Sequence, residues 1–274
     1  MLSQGNAISG KGVTKLVIGG DLFSVDLNKV HTLTELMQQS LIENGDSDQA
    51  TRHIKIMKDV VLSHGLKIPD VKETFKQFFA EHLAKEGTVV QLSLAYRLLS
   101  SHYLEEKYSA LLLLEKNIKH LGVRFFVCGD FEFFLRNYIY DWSTCDTFSS
   151  RIVFTLLKKD EAVVSELVRL KNLPDATLWM LRCCCVSFVK LARFGKLNDV
   201  IIDICSTAVR NSERFVQLGA GWVLRELSRA DLNLVIQFIR QNIKFISKEG
   251  LRYATEKMTS DVKYELMDYK RIAG

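Results

Sequence analysis

The sequence predicts an all-α fold of stacked helix pairs, a solenoid (α-α superhelix) with a concave basic groove. Three observations carry that prediction. From about Asp26 onward apolar residues recur at helical spacing, and neither strand or hairpin signals nor βαβ alternation compete with them. Helix pairs return at about 35–45 residues, the range of HEAT-like units, without strong identity between units. Only two prolines occur, both where a helix tolerates them: Pro69 in the loop His64 to Asp70, and Pro174 just before a helix start. Stacked pairs of this kind form a curved array whose concave face suits a long partner. A compact helical bundle is the structural alternative.

Residues 1–25 are Gly- and Ser-rich and weakly periodic, and are expected to be a flexible extension with a short ordered piece near Leu16 to Ile18. Within them Gly5 to Gly12 nearly spells a phosphate-binding loop. It lacks the terminal Ser or Thr that would hold magnesium, and no apolar strand precedes it. The repeat domain is expected over 26–260, with a tail at 261–274. Its helices are predicted at Leu33–Asn44, Asp48–His64, Asp70–Lys85, Val89–Leu104, Lys107–Leu121 and Asp130–Tyr140. They continue at Thr147–Leu157, Asp160–Leu170, Asp175–Phe194, Leu197–Val209, Ser212–Ser228, Asp231–Gln241 and Ser247–Met258. Several open on Ser or Asp in a capping position, and Gly65, Gly87, Gly122 and Gly195 fall between segments as stops.

Composition narrows the class. Hydrophobic residues make up 47% and charged residues 25% of the chain, ordinary for a globular protein able to bury a substantial core. No apolar run approaches the ~18–20 residues of a membrane span. Met1 to Gly20 has no continuous apolar stretch behind a basic start, so no signal peptide is expected. Of the six cysteines, Cys183, Cys184 and Cys185 are consecutive in an apolar helix. That suits small buried hydrophobes in a reducing, intracellular compartment rather than a disulfide framework. With no CxxC spacing and scattered histidines, no metal is expected; nor is a cofactor or a membrane partner, and the chain is taken as a monomer. The net charge of +5 is uneven. From Arg182 to Arg252 twelve Lys/Arg face six Asp/Glu, so that stretch carries +6 and the remainder −1. A polyanion such as nucleic acid fits this distribution, and a solvated basic surface fits it equally.

Four stretches carry candidate chemistry. In Asp141 to Asp146, Trp142 and Asp146 lie four residues apart, which on a helix puts an indole and a carboxylate on one face. The competing reading is a cap, with Asp146 accepting backbone N–H groups of the helix that follows and Trp142 packed as core. In the segment from Leu178, Arg182 and Lys190 are spaced i and i+8, so one continuous helix would place both cations on one face. In Arg214 to Leu227, Gly219 and Gly221 sit mid-helix at a cost of ~0.5–1 kcal/mol each against alanine. That implies close approach by another helix or a ligand backbone. There Trp222 and Arg225 face one way, and Arg225 can instead pair with Glu226. Ser247 to Arg252 is a basic helix start containing Lys248.

The order WSTCD, LWMLR with its distant lysine, FVQLGAGWVLRE and SKEGLRYA resembles the AlkD-type alkylpurine DNA glycosylases, a HEAT-like-repeat family of DNA alkylation repair enzymes. The likeness is close across Phe215–Met258, clear at Trp142–Asp146 and Leu178–Lys190, and weaker from Asp48 to Asp70. It covers roughly the last three quarters of the chain. The resemblance implies duplex DNA carrying alkylated purines as partner, and hydrolysis of the N-glycosidic bond of N3-methyladenine or N7-methylguanine. It makes Asp146 the catalytic carboxylate and Trp142 with Trp222 the aromatic pair beside the lesion-bearing deoxyribose. Arg182, Lys190 and Arg225 become phosphate contacts, and Lys248 a further DNA-binding position. His53 falls where bacterial members carry a tyrosine, a departure at the third aromatic contact. The family is understood to work without drawing the base into a pocket. Two other readings are a HEAT-repeat DNA-binding or scaffolding protein without activity, and a protein–protein adaptor with a neutral concave face.

Overall fold

A computed structural model of the protein describes residues 13–18, 21–58, 60–124 and 129–273. The Gly5–Gly12 stretch and Cys128 lie outside the described residues. The fold is all-α apart from one strand pair, and it divides into two compact units at Thr147/Phe148.

The first unit opens with β1 (Val13–Ile18) and β2 (Asp21–Asp26), paired antiparallel with Val13 opposite Asp26 and Ile18 opposite Asp21. This corrects the expectation that no strand is present. In the sequence the β-branched run Val13–Ile18 and the apolar Leu22, Phe23 and Val25 lie either side of Gly19 and Gly20, a two-residue hairpin signal hidden within a stretch that is Gly- and Ser-rich as a whole. Asp26 then caps α1 (Leu27–Glu43), accepting the N–H groups of Asn28 at 2.9 Å and Lys29 at 3.3 Å, so the helix begins six residues before the predicted Leu33. After it come α2 (Ser47–Ile56), α3 (Ile68–Phe78, with Pro69 in its first turn and a π-helical turn at Phe79–Leu83), α4 (Thr88–Leu99), α5 (Leu104–Leu121), α6 (Asp130–Asn137) and α7 (Trp142–Thr147). Helix α2 stops at Ile56, not His64: Lys58 adopts φ +53, outside helical space. At the centre α5 packs against α1, α3, α4 and α7.

The second unit begins with a π-helical turn, Phe148–Val153, followed by α8 (Phe154–Leu157), α9 (Ala162–Lys171), α10 (Leu178–Val186), α11 (Val189–Ala192) and α12 (Asn198–Ala208). It ends with α13 (Arg214–Leu227), α14 (Leu232–Asn242), α15 (Lys248–Ala254) and α16 (Ser260–Ala273). The last of these is a regular helix, with Leu266 fully buried, where the sequence reading placed a tail. The expected single helix Asp175–Phe194 is two. It breaks where Ser187 Oγ donates to the Cys183 carbonyl at 2.7 Å and Phe188 N bonds the Cys185 carbonyl in a tighter turn. The cysteines at 183–185 and 205 are buried core, and burial pushes the Cys184 thiol well above its ordinary range.

At the centre of this unit α13 packs against α10, α11, α12 and α15. Its two glycines serve that packing. A Cβ on Gly219 would stand 3.3 Å from Arg182 Cγ, and one on Gly221 2.8 Å from the Gly250 carbonyl and 3.2 Å from Tyr253 Cβ. The Gly250 carbonyl belongs to helix backbone and cannot swing aside. Gly221→Ala is therefore expected to lower stability by ~1–3 kcal/mol despite alanine's better helix propensity, read as a shift in urea midpoint. An unchanged or higher midpoint would show that α13 and α15 separate freely. No helix among the described residues is long and apolar enough to cross a membrane.

Candidate active site

Trp142 and Asp146 open and nearly close α7. The indole is 36% exposed and the carboxylate half-buried. Capping of α7 falls to Asp141, whose Oδ1 accepts the Thr144 N–H at 2.8 Å. Asp146 sits inside a helical turn, so the cap reading of that residue is corrected.

Beside Trp142 lies a cavity of about 150 Å³, lined mainly by apolar side chains, among them Ile56, Ile68 and Tyr108. His53 and Glu105 form its polar edge. The His53 ring is tied at both nitrogens: Nε2 meets Gln49 Nε2 at 2.7 Å and Nδ1 meets Ser63 Oγ at 3.0 Å. An amide nitrogen can only donate, so Nε2 accepts and Nδ1–H donates to the serine. Ser63 in turn donates to Glu105 Oε1 at 2.6 Å. That buried carboxylate also accepts the N–H groups of His64, Gly65 and Leu66, binding the 63–66 loop to the start of α5. The structure thus brings His53 and Trp142 to one cavity.

Beneath α7 a second buried charge fixes the approach to it. Lys107 is fully buried, with Nζ donating to the Leu99 carbonyl at 2.9 Å and the Tyr138 carbonyl at 2.6 Å and lying 4.1 Å above the Tyr140 ring. Burial pulls its ammonium down to about 8, against the pull of Asp141 and Glu106. Asp141 is 2% exposed, and burial pushes its carboxyl up. The residues before Trp142 are therefore held by one buried cation and one buried anion.

The second unit holds the remaining candidates. Arg182 is buried; its Nη1 donates to the Phe215 carbonyl at 2.7 Å, and its stem lies against Gly219. Lys190 is exposed and belongs to α11, so the shared-face argument from i and i+8 fails. Its Nζ donates to the Ser150 carbonyl at 2.9 Å and lies 4.8 Å from the Phe154 ring centroid. Trp222 is half-buried on α13. One turn on, Arg225 donates to Glu226 at 3.0 Å and to Glu256 at 2.8 Å, and stacks 4.7 Å over Tyr253, so the ion pair anticipated as its alternative is formed. Lys248 is exposed at the first turn of α15. Trp179 packs on Phe215 with ring centroids 5.4 Å apart.

The family model for DNA alkylation repair enzymes matches residues 37–258. The chain belongs to the DNA alkylation repair enzyme family. A solved structure described as a predicted DNA alkylation repair enzyme from Enterococcus faecalis shares the fold, with TM-score 0.64 and 17% identity over 79% of this chain and 97% of that one. No curated protein matches the chain. Membership gives it a role in the repair of alkylated DNA, with DNA as partner. Among the described residues of this family member, no group of three or more His, Cys, Asp or Glu is placed to hold a metal ion.

Sequence reasoning missed the Glu105–Ser63–His53 chain and Lys107. The segment Glu105-Glu106-Lys107 reads as three solvated charges, yet all three side chains are buried. A helix start placed at Leu104 instead of Lys107 would have put both carboxylates in a first turn, where the helix dipole favours them.

Proposed function

We propose that this repair protein is a DNA glycosylase of the AlkD type, hydrolysing the N-glycosidic bond of cationic alkylpurines in duplex DNA within base excision repair. The observation that carries the reading is Asp146, a half-buried carboxylate set inside a helical turn four residues from the partly exposed indole of Trp142. An N3- or N7-alkylated purine is already cationic while bound to the sugar and leaves as a neutral base, so no general acid is needed. One carboxylate suffices if it stabilises the developing oxocarbenium charge and holds the attacking water. Trp142 and, by the same resemblance, Trp222 supply indole faces whose attraction grows as the sugar becomes positive, ~0.5–2 kcal/mol each. Arg182, Lys190, Arg225 and Lys248 are proposed to contact DNA, and His53 takes the family's tyrosine position on the cavity that Trp142 lines. HEAT-like repeats with a concave basic face and a monomeric chain belong to the same proposal.

Release of N7-methylguanine and N3-methyladenine from methylated duplex by the full chain, followed by chromatography of the freed bases, tests it. Release supports the glycosylase. Salt-sensitive duplex binding without release moves the reading to a non-catalytic DNA-binding protein.

A further inference from the structure

Tyr108, on α5, is 9% exposed, and among the described residues its hydroxyl has no hydrogen-bond partner. A phenol so deeply buried ordinarily finds one, because its hydration is otherwise lost without compensation. The side chain lines the cavity beside Trp142. The other polar side chains of that lining are engaged or less buried. His53 is tied at both ring nitrogens, and Glu105 takes the Ser63 hydroxyl and three backbone N–H groups. Ser143, the second hydroxyl of the lining, is only half-buried. The cavity therefore offers one buried, unengaged donor within apolar walls.

Its mouth is open and apolar: Ile56 is 64%, Ile68 50% and Trp142 36% exposed. A volume of about 150 Å³ is less than the roughly 300–1,000 Å³ of a small-molecule site, so it suits one projecting part of a larger partner. The surround is cationic. Arg52 and Lys55 on α2, and Lys58 just beyond it, are interleaved along the chain with the lining residues His53, Ile56 and Met57. All three are exposed, and among the described residues none is in an ion pair. An apolar cleft with one hydroxyl and flanking cations complements a sugar–phosphate strand. The C–H edge of the furanose meets isoleucine and indole, an oxygen meets the phenol, and phosphates meet the cations. Trp142 lines the cleft but Asp146, one turn along α7, does not, so a sugar held there is the neighbour of the reacting one.

We propose that this cavity binds the deoxyribose next to the lesion nucleotide, with Tyr108 donating a hydrogen bond to an oxygen of that sugar–phosphate unit. Arg52, Lys55 and Lys58 hold the adjoining phosphates. The inference rests on the proposed glycosylase and adds to it a binding residue, Tyr108, and the flanking nucleotide it contacts.

Tyr108→Phe removes a single oxygen that nothing in the described fold holds. In the full chain its thermal midpoint is expected to equal or exceed that of wild type. Its affinity for duplex DNA should fall roughly three- to tenfold, the order of one neutral hydrogen bond. Because the contact lies beside the lesion, the loss should be the same on methylated and unmethylated duplex. In single turnover at saturating protein, the variant should release N3-methyladenine at the wild-type rate. Ile56→Ala, at an exposed position, should also weaken binding, and neither variant should alter the salt slope, because no charge is removed. Lys55→Ala should lower that slope by about 0.9. Equal affinity for wild type and Tyr108→Phe, or a lowered midpoint showing the hydroxyl engaged within the fold, would overturn the inference while base release by the wild type stands. A loss confined to methylated duplex, or a slower rate at saturation, would move Tyr108 to the reacting nucleotide and overturn it as well. Failure of the wild type to bind duplex would sink this inference and the glycosylase together.

Discussion

Asp146→Asn is expected to slow alkylpurine release by about 10²–10³-fold, while duplex binding stays as tight or becomes slightly tighter. Asparagine keeps the shape and a comparable helix propensity at this position of α7. What disappears is the negative charge. For a carboxylate about 4 Å from a developing cation near a protein surface, Coulomb attraction is worth ~4 kcal/mol. That corresponds to a factor of about 10³ in rate, the upper end of the expected loss. In the proposed role Asp146 faces the sugar and makes no phosphate contact, so affinity is expected to hold. Single-turnover release of N3-methyladenine and N7-methylguanine, measured beside binding to the same duplex, reads both quantities. Equal rates for the two proteins would remove Asp146 from the chemistry even if the glycosylase stands. A parallel loss of rate and of affinity would point to a structural role instead.

Lys107→Met is expected to destabilise the protein by ~3–5 kcal/mol, the usual cost of removing one partner from a set of buried charges. The substitution leaves the Leu99 and Tyr138 carbonyls without their donor and Asp141 without the nearby cation. Asp141 caps α7, so the loss is felt where Trp142 and Asp146 are displayed. Adding Asp141→Asn to Lys107→Met should recover part of the loss, since the buried Asp141 charge no longer lacks its cation. The lysine also sets a pH signature. Its folded-state value lies near 8, below the ordinary 10.5, because burial disfavours the charged form. Between those values the unfolded chain binds the proton and the folded chain does not, so this group's contribution to stability rises with pH from about 8 towards 10.5. Below about 8 the full burial penalty is felt. Urea midpoints at pH 8 and pH 10 should therefore rise more, or fall less, for wild type than for Lys107→Met. Parallel midpoints, or a loss under ~1 kcal/mol for the single variant, would show that Lys107 escapes to water.

Particular residues show how far the sequence reaches. Helical periodicity and capping residues are local properties, so the all-α class and most helix positions follow from order alone. Gly219 and Gly221 announced close helix contacts that the structure finds at Arg182 and Gly250. Trp142 and Asp146 at i and i+4 needed only the geometry of one turn. Breaks and caps depend on competing local bonds, and there reading ahead failed. Ser187 folding back on Cys183 splits the helix that was to align Arg182 with Lys190.

The sequence by itself determined the helical class, the DNA alkylation repair family and the candidate carboxylate, because each rests on residue spacing within segments and on the order of those segments along the chain. Tertiary structure alone decided which charges leave water. Glu105, Glu106 and Lys107 look like a solvated surface in one dimension. They are buried because partners distant in sequence converge on them, among them the 63–66 loop, Gln38 and the Tyr138 carbonyl. Whether a charge is exposed or enclosed depends on such long-range neighbours, whose identity no local pattern encodes.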